Sequence, residues 1–298
     1  MKNEYDEIKN EYLDFLKGIK RIVEKLLIQN NIPIAFNIYG RLKDFDSIQE
    51  KHNSKRFIIK KTITELNDLV GLRIVLLFPE YKDQVIDLLL EEFNQIVEFK
   101  KNDQIIDKFG YSSIHLILGI KEEWIKAPDW KEHLNKKIEI QIRTLSEHIW
   151  AETSHTLFYK REENIPKIIT RDLYRLSALL EVVDDKLQSI KDNVSSHFKY
   201  IESCPFDEIL KMDLNSETFR RTMIEYSNGN YDLNDNQNKE LSSRIEHDYN
   251  ILNVIVLHEL VAGKINLKNY TNEKFIEVLL EVLEAEKFKT DQNRGQIN

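Results

Sequence analysis

Between residues 4 and 29 apolar side chains recur every three or four positions, at Tyr12, Phe15, Leu16, Ile19, Ile22, Val23, Leu26 and Leu27. This spacing predicts an amphipathic helix, which Asn30, Asn31 and Pro33 end. The short apolar run Ile34 to Tyr39 reads as a strand broken by Gly40. RLKDFDSIQEKHNSKRFIIKK then reads as a basic helix bearing Lys51, Lys55 and Arg56, capped by Asp46 or Ser47, with Lys60 and Lys61 after it. GLRIVLLF, Gly71 to Phe78, is the strongest buried strand. Pro79 stops it, and Asp83 to Phe93 turns helical. Ser113 to Ile120 alternates weakly and reads as a further strand.

The period of two is clearest in KIEIQIRTLSEHIWAETSHTLFYK, Lys137 to Lys160. Ile138, Ile140 and Ile142 go to one face of a strand, and Glu139, Gln141 and Arg143 to the other. Thr144 and Ser146 open a helix directly after it. A polar row of acid, amide and guanidinium beside a helix start points to nucleotide or metal chemistry more than to a solvated face. Strands mixed with helices over residues 34–160 predict an α/β or α+β layer on a mixed sheet.

Beyond Lys160 the pattern is helical only. Ile169, Leu173, Leu176, Leu180, Val183, Leu187, Ile190 and Val194 keep alternating steps of four and three, the seam of a long helix. Its simplest cover is the N-terminal helix of the same chain; a subunit contact is the alternative. Further helices are expected at Ser216 to Tyr226, Lys239 to Ala262 and Asn272 to Lys287, with a polar loop at Asn228 to Asn236.

Composition narrows the class. With 41% hydrophobic and 32% charged residues in 298, the chain is expected to be globular rather than disordered. A net charge of −8 leaves any polyanion binding to local basic clusters. Cys204 is the one cysteine, which excludes an intramolecular disulfide and a multi-cysteine zinc site and suits a reducing cytoplasm. MKNEYDEIKN lacks the apolar run of a signal peptide, and no later stretch reaches the roughly 18 apolar residues of a membrane span.

The candidate chemistry lies in the first half. Asp68, just before GLRIVLLF, and Glu139 are two carboxylates able to converge from neighbouring strands, and one or two carboxylates with substrate oxygens are the usual Mg²⁺ shell. Arg41, Lys43, Lys51, Lys55 and Arg56 form a cationic group suited to a triphosphate. Gly110 and Tyr111 present a ring on a turn, with His115 four residues on. Singly these are weak signals, since a basic helix is usually a solvated face and a loop tyrosine usually packs. His148, Glu152 and His155 fall at metal-ligand spacing on a helix, but a pocket-lining or structural role is the better reading.

In order and combination these pieces resemble the synthetase domain of the RelA/SpoT family, which makes the alarmones ppGpp and pppGpp. The matching segments are GRLKDFDSIQEK, DLVGLRI, GYSSIH, and EIQIRT with HIWAETSH and YK. The resemblance implies an α+β fold, a nucleotidyltransferase-like mixed sheet flanked by helices with an all-helical C-terminal extension. The domains would be an N-terminal helix (1–33), the synthetase (34–165) and the extension (166–298). It implies transfer of the β,γ-pyrophosphate of ATP to the 3′-hydroxyl of GDP or GTP with Mg²⁺ in the cytoplasm, without a membrane. Arg41, Lys43, Lys51 and Arg73 would contact ATP, Asp68 and Glu139 would hold the metal, and Asp68, Glu139 and Arg73 would be catalytic. Tyr111, His115, Gln141 and Arg143 would form the acceptor side.

Two departures qualify that expectation. The family's acceptor-phosphate lysine before the Gly-Tyr turn is replaced by KKNDQIIDKFGY, with Asp107 at the aligned place and Lys108 nearest, which leaves the 3′ end of tRNA as an alternative acceptor. A module that only binds nucleotide is the third reading, disfavoured because both metal carboxylates and the stacking tyrosine are present. About 40 residues precede the first motif, too few for the family's hydrolase, so a small synthetase-only form is expected. The extension would build a homo-oligomer, bind a regulatory partner or restrain the site.

Overall fold

The computed structural model describes residues 1–97, 113–158, 167–227, 231–262, 264 and 272–295. Five segments pair into one sheet: β1 (Tyr39–Leu42), β2 (Val70–Leu76), β3 (Asn94–Val97), β4 (Ile114–Gly119) and β5 (Ile138–Thr144). The order is β1-β2-β5-β4-β3, with β2 and β5 parallel and the other pairs antiparallel. It is the mixed, helix-flanked α+β sheet expected from the residues.

The alternation of β2 and β5 divides the sheet into two faces. Leu72, Ile74, Ile138, Ile140 and Ile142 turn to the core with Leu116 and Leu118 of β4. Helix α1 (Lys2–Gln29) covers that face with Tyr5, Tyr12, Phe15, Leu16, Ile19, Val23 and Leu27. Each large side chain buried there contributes about 1.5–3 kcal/mol relative to exposure. The close approach of helix to sheet requires Gly40: a Cβ at that position would lie 2.8 Å from Leu16 Cδ1.

Several local expectations are corrected. The strand after α1 is Tyr39–Leu42 rather than Ile34–Tyr39, and Gly40 lies inside it, because pairing with Val70–Arg73 selects those residues. Helix α2 (Phe45–Asn53) is capped by Asp44, whose carboxylate accepts from the Ser47 backbone N–H at 2.7 Å, and not by Asp46 or Ser47. It ends before Lys55, which takes a left-handed φ of 57°. Helix α3 (Tyr81–Glu92) leads into β3, a strand that its four exposed residues did not announce. Helix α4 (Leu145–Phe158) opens as foreseen at Thr144. Thr144 and Glu147 exchange hydrogen bonds, backbone N–H to carboxylate at 2.8 Å and backbone N–H to hydroxyl at 3.1 Å.

Helix α5 (Lys167–Ser203) runs from the first compact unit, residues 1–190, into the second, 191–298. Helix α1 is not its cover, because α1 is spent on the sheet core, which holds no α5 residue. Instead Thr144 donates to Asp184 at 2.6 Å and Gln188 donates to Glu80 at 2.8 Å. Ser177, Leu180 and Asp184 are buried, whereas Ile169, Val183 and Ile190 of one row of the seam, and Val194 at the end of the other, are exposed.

The second unit has its own core of Ile209, Phe219, Met223, Ile245, Val254 and Leu257. It contains α6 (Phe206–Ile209), α7 (Ser216–Tyr226), α8 (Asp235–Tyr249), α9 (Val254–Val261) and α10 (Asn272–Gly295). The single helix expected over 239–262 is two. Asn250 closes α8 with φ 54°, and the chain then pairs extended, Leu214 N–H donating to Leu252 O at 2.8 Å and Val254 N–H to Met212 O at 3.0 Å.

Candidate active site

The face of the sheet opposite α1 is polar, and register sorts its side chains into rows. One row crosses four strands as Tyr39, Arg73, Gln141 and His115; the next is Arg41, Gly71, Glu139 and Ile117. Tyr39, Arg41, Asp68, Gly71, Arg73, Glu139 and Gln141 line one cleft over these rows. Gly71 keeps its floor open, since a Cβ there would meet nothing nearer than the Glu139 carbonyl oxygen at 4.0 Å.

Lys43, just past β1, and Lys51, in the last turn of α2, donate to the same Asp68 oxygen, Oδ2, at 2.7 and 2.8 Å. Burial pushes the Asp68 carboxyl up, but the hydrogen bonds and charges of the two lysines outweigh it and hold it below the usual carboxylate range. Asp68 Oδ1 is buried and has no hydrogen-bond partner. Arg56 turns away to Glu50 at 3.4 Å, so of the five cations expected together it does not join Arg41, Lys43 and Lys51.

The Glu139 carboxyl is shifted in the same direction. Burial raises its carboxyl, yet the hydrogen bond and charge of His115 and the hydrogen bond from Gln141 bring it below the ordinary value. His115 Nδ1 lies 2.9 Å from Glu139 Oε1, and Gln141 Nε2 donates to Oε2 at 2.9 Å. Gln141 in turn accepts from Arg73 Nε at 3.4 Å. Arg73, Gln141, Glu139 and His115 therefore form one polar chain across β2, β5 and β4 that joins the two rows.

Arg73 and Arg143 converge on Glu152 of α4, at 2.6 and 4.0 Å. Burial, then the charge of Arg73, weakens the hold of Arg143 on its proton, and its Nε is buried without a partner. His148 Nδ1 lies 3.9 Å from Glu152, and burial and Arg73 lower its affinity for a proton. Glu152 thus answers two arginines, and among the described residues no group of three His, Cys, Asp or Glu could hold a metal ion.

Such a cage is not what Mg²⁺ requires, because that ion is commonly held by one or two carboxylates and substrate phosphates. Asp68 and Glu139 line the same cleft, carry hard oxygen donors, and include the orphaned Asp68 Oδ1. These residues fit the ion. Asp107, Lys108, Gly110 and Tyr111 lie outside the described residues. Two participants escaped the sequence reading. The period of two that aligned Glu139 with Gln141 would have paired Tyr39 with Arg41 had the strand been placed correctly, and Glu152 as a partner of Arg73 depends on a long-range contact that local spacing does not encode.

Residues 40–164 match the family described as the region found in RelA / SpoT proteins. The GTP pyrophosphokinase YwaC of Bacillus subtilis (strain 168) is 29% identical over 205 residues, covering 65% of this chain and 95% of that protein. YjbM, a GTP pyrophosphokinase of the same organism, is 30% identical over 181 residues, covering 60% and 81%. The crystal structure of small alarmone synthetase 1 from Bacillus subtilis bound to its product pppGpp superposes with a TM-score of 0.53 at 26% identity, over 65% of this chain and 99% of that one. Sequence motifs, sheet and relatives agree: the chain belongs to the RelA/SpoT family.

Proposed function

We propose that this protein is a GTP/GDP pyrophosphokinase, transferring the β,γ-pyrophosphate of ATP to the 3′-hydroxyl of GDP or GTP to form ppGpp or pppGpp. The observation that carries the reading is the pairing of two ionised carboxylates, Asp68 and Glu139, with Arg41, Arg73 and two lysines around one cleft. The relatives named GTP pyrophosphokinases, matched over most of their own length, support it. Residues 34–165 would be the catalytic segment, preceded by a helical segment at 1–33 and followed by a helical extension at 166–298.

In this reading Arg41, Arg73, Lys43 and Lys51 bind the donor, the lysines exchanging Asp68 for phosphate oxygens. His115, Gln141, Arg143 and Tyr111 receive the acceptor. Mg²⁺, when held by Asp68, Glu139 and phosphate oxygens, neutralises charge on the transferring group. The 3′-oxygen attacks the β-phosphorus, the bond from that phosphorus to the oxygen it shares with the α-phosphorus breaks, and AMP leaves with the electron pair. The Glu139 carboxylate takes the hydroxyl proton. Most of the rate comes from in-line placement and charge neutralisation, which this set of side chains supplies.

A cytoplasmic setting belongs to the same proposal; no helix among the described residues is long and apolar enough to cross a membrane. So does self-association or a regulatory partner through the C-terminal helices, supported by the exposed Val183, Ile190 and Val194 on α5. The test is incubation of the purified protein with Mg²⁺ and γ-labelled ATP, offering GDP, GTP or bulk tRNA in separate reactions. Label on a guanine nucleotide is expected. Label on tRNA alone would replace the acceptor, and no transfer to any acceptor would leave a binding module.

A further inference from the structure

The end of β5 carries a hydrogen bond that neither the sheet nor the cap of α4 requires. Thr144 is fully buried, and its exchange with Glu147 already satisfies its N–H and uses its hydroxyl oxygen as an acceptor. The hydroxyl proton goes elsewhere, to Asp184 Oδ2 on α5 at 2.6 Å. Asp184 is 6% exposed, its other oxygen is buried without a hydrogen-bond partner, and no cation pairs with it among the described residues. Apolar side chains at both positions would pack without that desolvation cost. A short bond kept at such a cost calls for a task other than packing.

What the bond holds is the junction that carries Arg143 and Glu152. Arg143 precedes Thr144 on β5, and Glu152 lies two turns into α4, the helix that opens after Thr144. Arg73, which lines the cleft, donates to Glu152 at 2.6 Å. The Arg143 guanidinium is weakly held by its own contacts, since Glu152 is 4.0 Å away and Nε is buried without a partner. Its place is therefore set by the backbone beneath it. That backbone is tied by the pairing of Thr144 with Leu76, by Glu147, which also meets Lys82 of α3 at 2.5 Å, and by Asp184. Of these, Asp184 comes from α5 and limits rotation of α4 about the strand end.

We propose that Asp184 is a positioning residue for the transfer: through Thr144 it fixes the angle at which α4 leaves β5, and so holds Arg143 and Glu152 in place. This rests on reading the cleft as a pyrophosphokinase site with Arg143 toward the acceptor. Thr144→Val, which keeps the shape without the hydroxyl, and Asp184→Ala should each raise the KM for GDP about tenfold. The KM for ATP should stay within about threefold, because Arg41, Lys43 and Lys51 stand apart from the junction. The double variant should be no worse than either single one, since both remove the same bond. Thr144→Ser and Asp184→Asn keep a donor and an acceptor there and should behave as wild type. Leu180→Ala, one turn earlier on α5, should lower the melting temperature and leave the KM for GDP unchanged.

KM values are read at a temperature where every variant is folded by circular dichroism, and Thr144→Val with Thr144→Ser carries the test if Asp184→Ala does not fold. If wild type labels tRNA instead, the KM for tRNA takes the place of that for GDP. An unchanged acceptor KM in Thr144→Val overturns the proposal, as do equal rises for ATP and acceptor, additive losses in the double variant, or an equal rise in Leu180→Ala. Should wild type label no acceptor, the pyrophosphokinase reading falls by itself. Hydrogen exchange then still decides the junction: faster exchange over residues 145–152 in Thr144→Val and Asp184→Ala than in Leu180→Ala upholds it, and equal exchange removes it.

Discussion

Asp68 uses its two carboxylate oxygens unequally. Lys43 and Lys51 crowd one of its oxygens and leave the other bare. Asp68→Asn and Glu139→Gln each remove a charge at nearly constant volume. On the proposed metal-binding role, either should lower pyrophosphate transfer by about two orders of magnitude, about 2.7 kcal/mol, with the fold intact by circular dichroism. Near-normal turnover in Glu139→Gln would refute the assignment. The lysines also set a pH dependence. Because the native Asp68 pKa is lowered, its contribution to stability is fully present above the unfolded value of about 3.9 and is lost as pH falls through the native one. In Lys43→Met/Lys51→Met only burial remains, which raises the pKa and reverses the sign. The melting temperature of that variant in metal-free buffer should fall furthest below wild type near neutral pH, and the gap should narrow on acidification below about pH 4. A gap independent of pH would show that the lysines do not act through this carboxylate.

Among the elements, α5 illustrates the difference between an apolar pattern and a buried face. Its seam has two rows, and the fold covers them unequally. Leu180 is 8% exposed and Val183 46%. Leu180→Glu should therefore cost several kcal/mol through a buried unpaired charge, while Val183→Glu should stay within about 0.5 kcal/mol by thermal melting. Light scattering on the same pair addresses what lies against Val183: a folded Val183→Glu protein lighter than wild type places a second copy there, and equal masses remove it. The buried side of α5 reaches the catalytic sheet through Asp184 and Thr144, the residue after Arg143. The helix thereby anchors the end of β5 beside Arg143.

At the scale of the whole molecule, two compact units with separate hydrophobic cores share one chain. Domains with their own cores melt as units, so calorimetry should resolve two transitions. Phe219 is fully buried in the second core, and Phe219→Ala should cost about 3–5 kcal/mol there, lowering one transition and leaving the other in place. One transition that shifts as a whole would show that the cores unfold together. The sequence by itself determined what is periodic or contiguous: the amphipathic α1, the strands β2 and β5, the polar row Glu139, Gln141 and Arg143, and the family motifs. Those features repeat at short range, where backbone geometry dictates which face a residue takes. Only the tertiary structure decided the placement of β1, the cap at Asp44, the break at Asn250, the cover of α5, and the meeting of Arg73 with Glu152 across a sequence separation of 79. Each of these depends on partners distant in the chain, and packing against such partners overrides local propensity whenever the two compete.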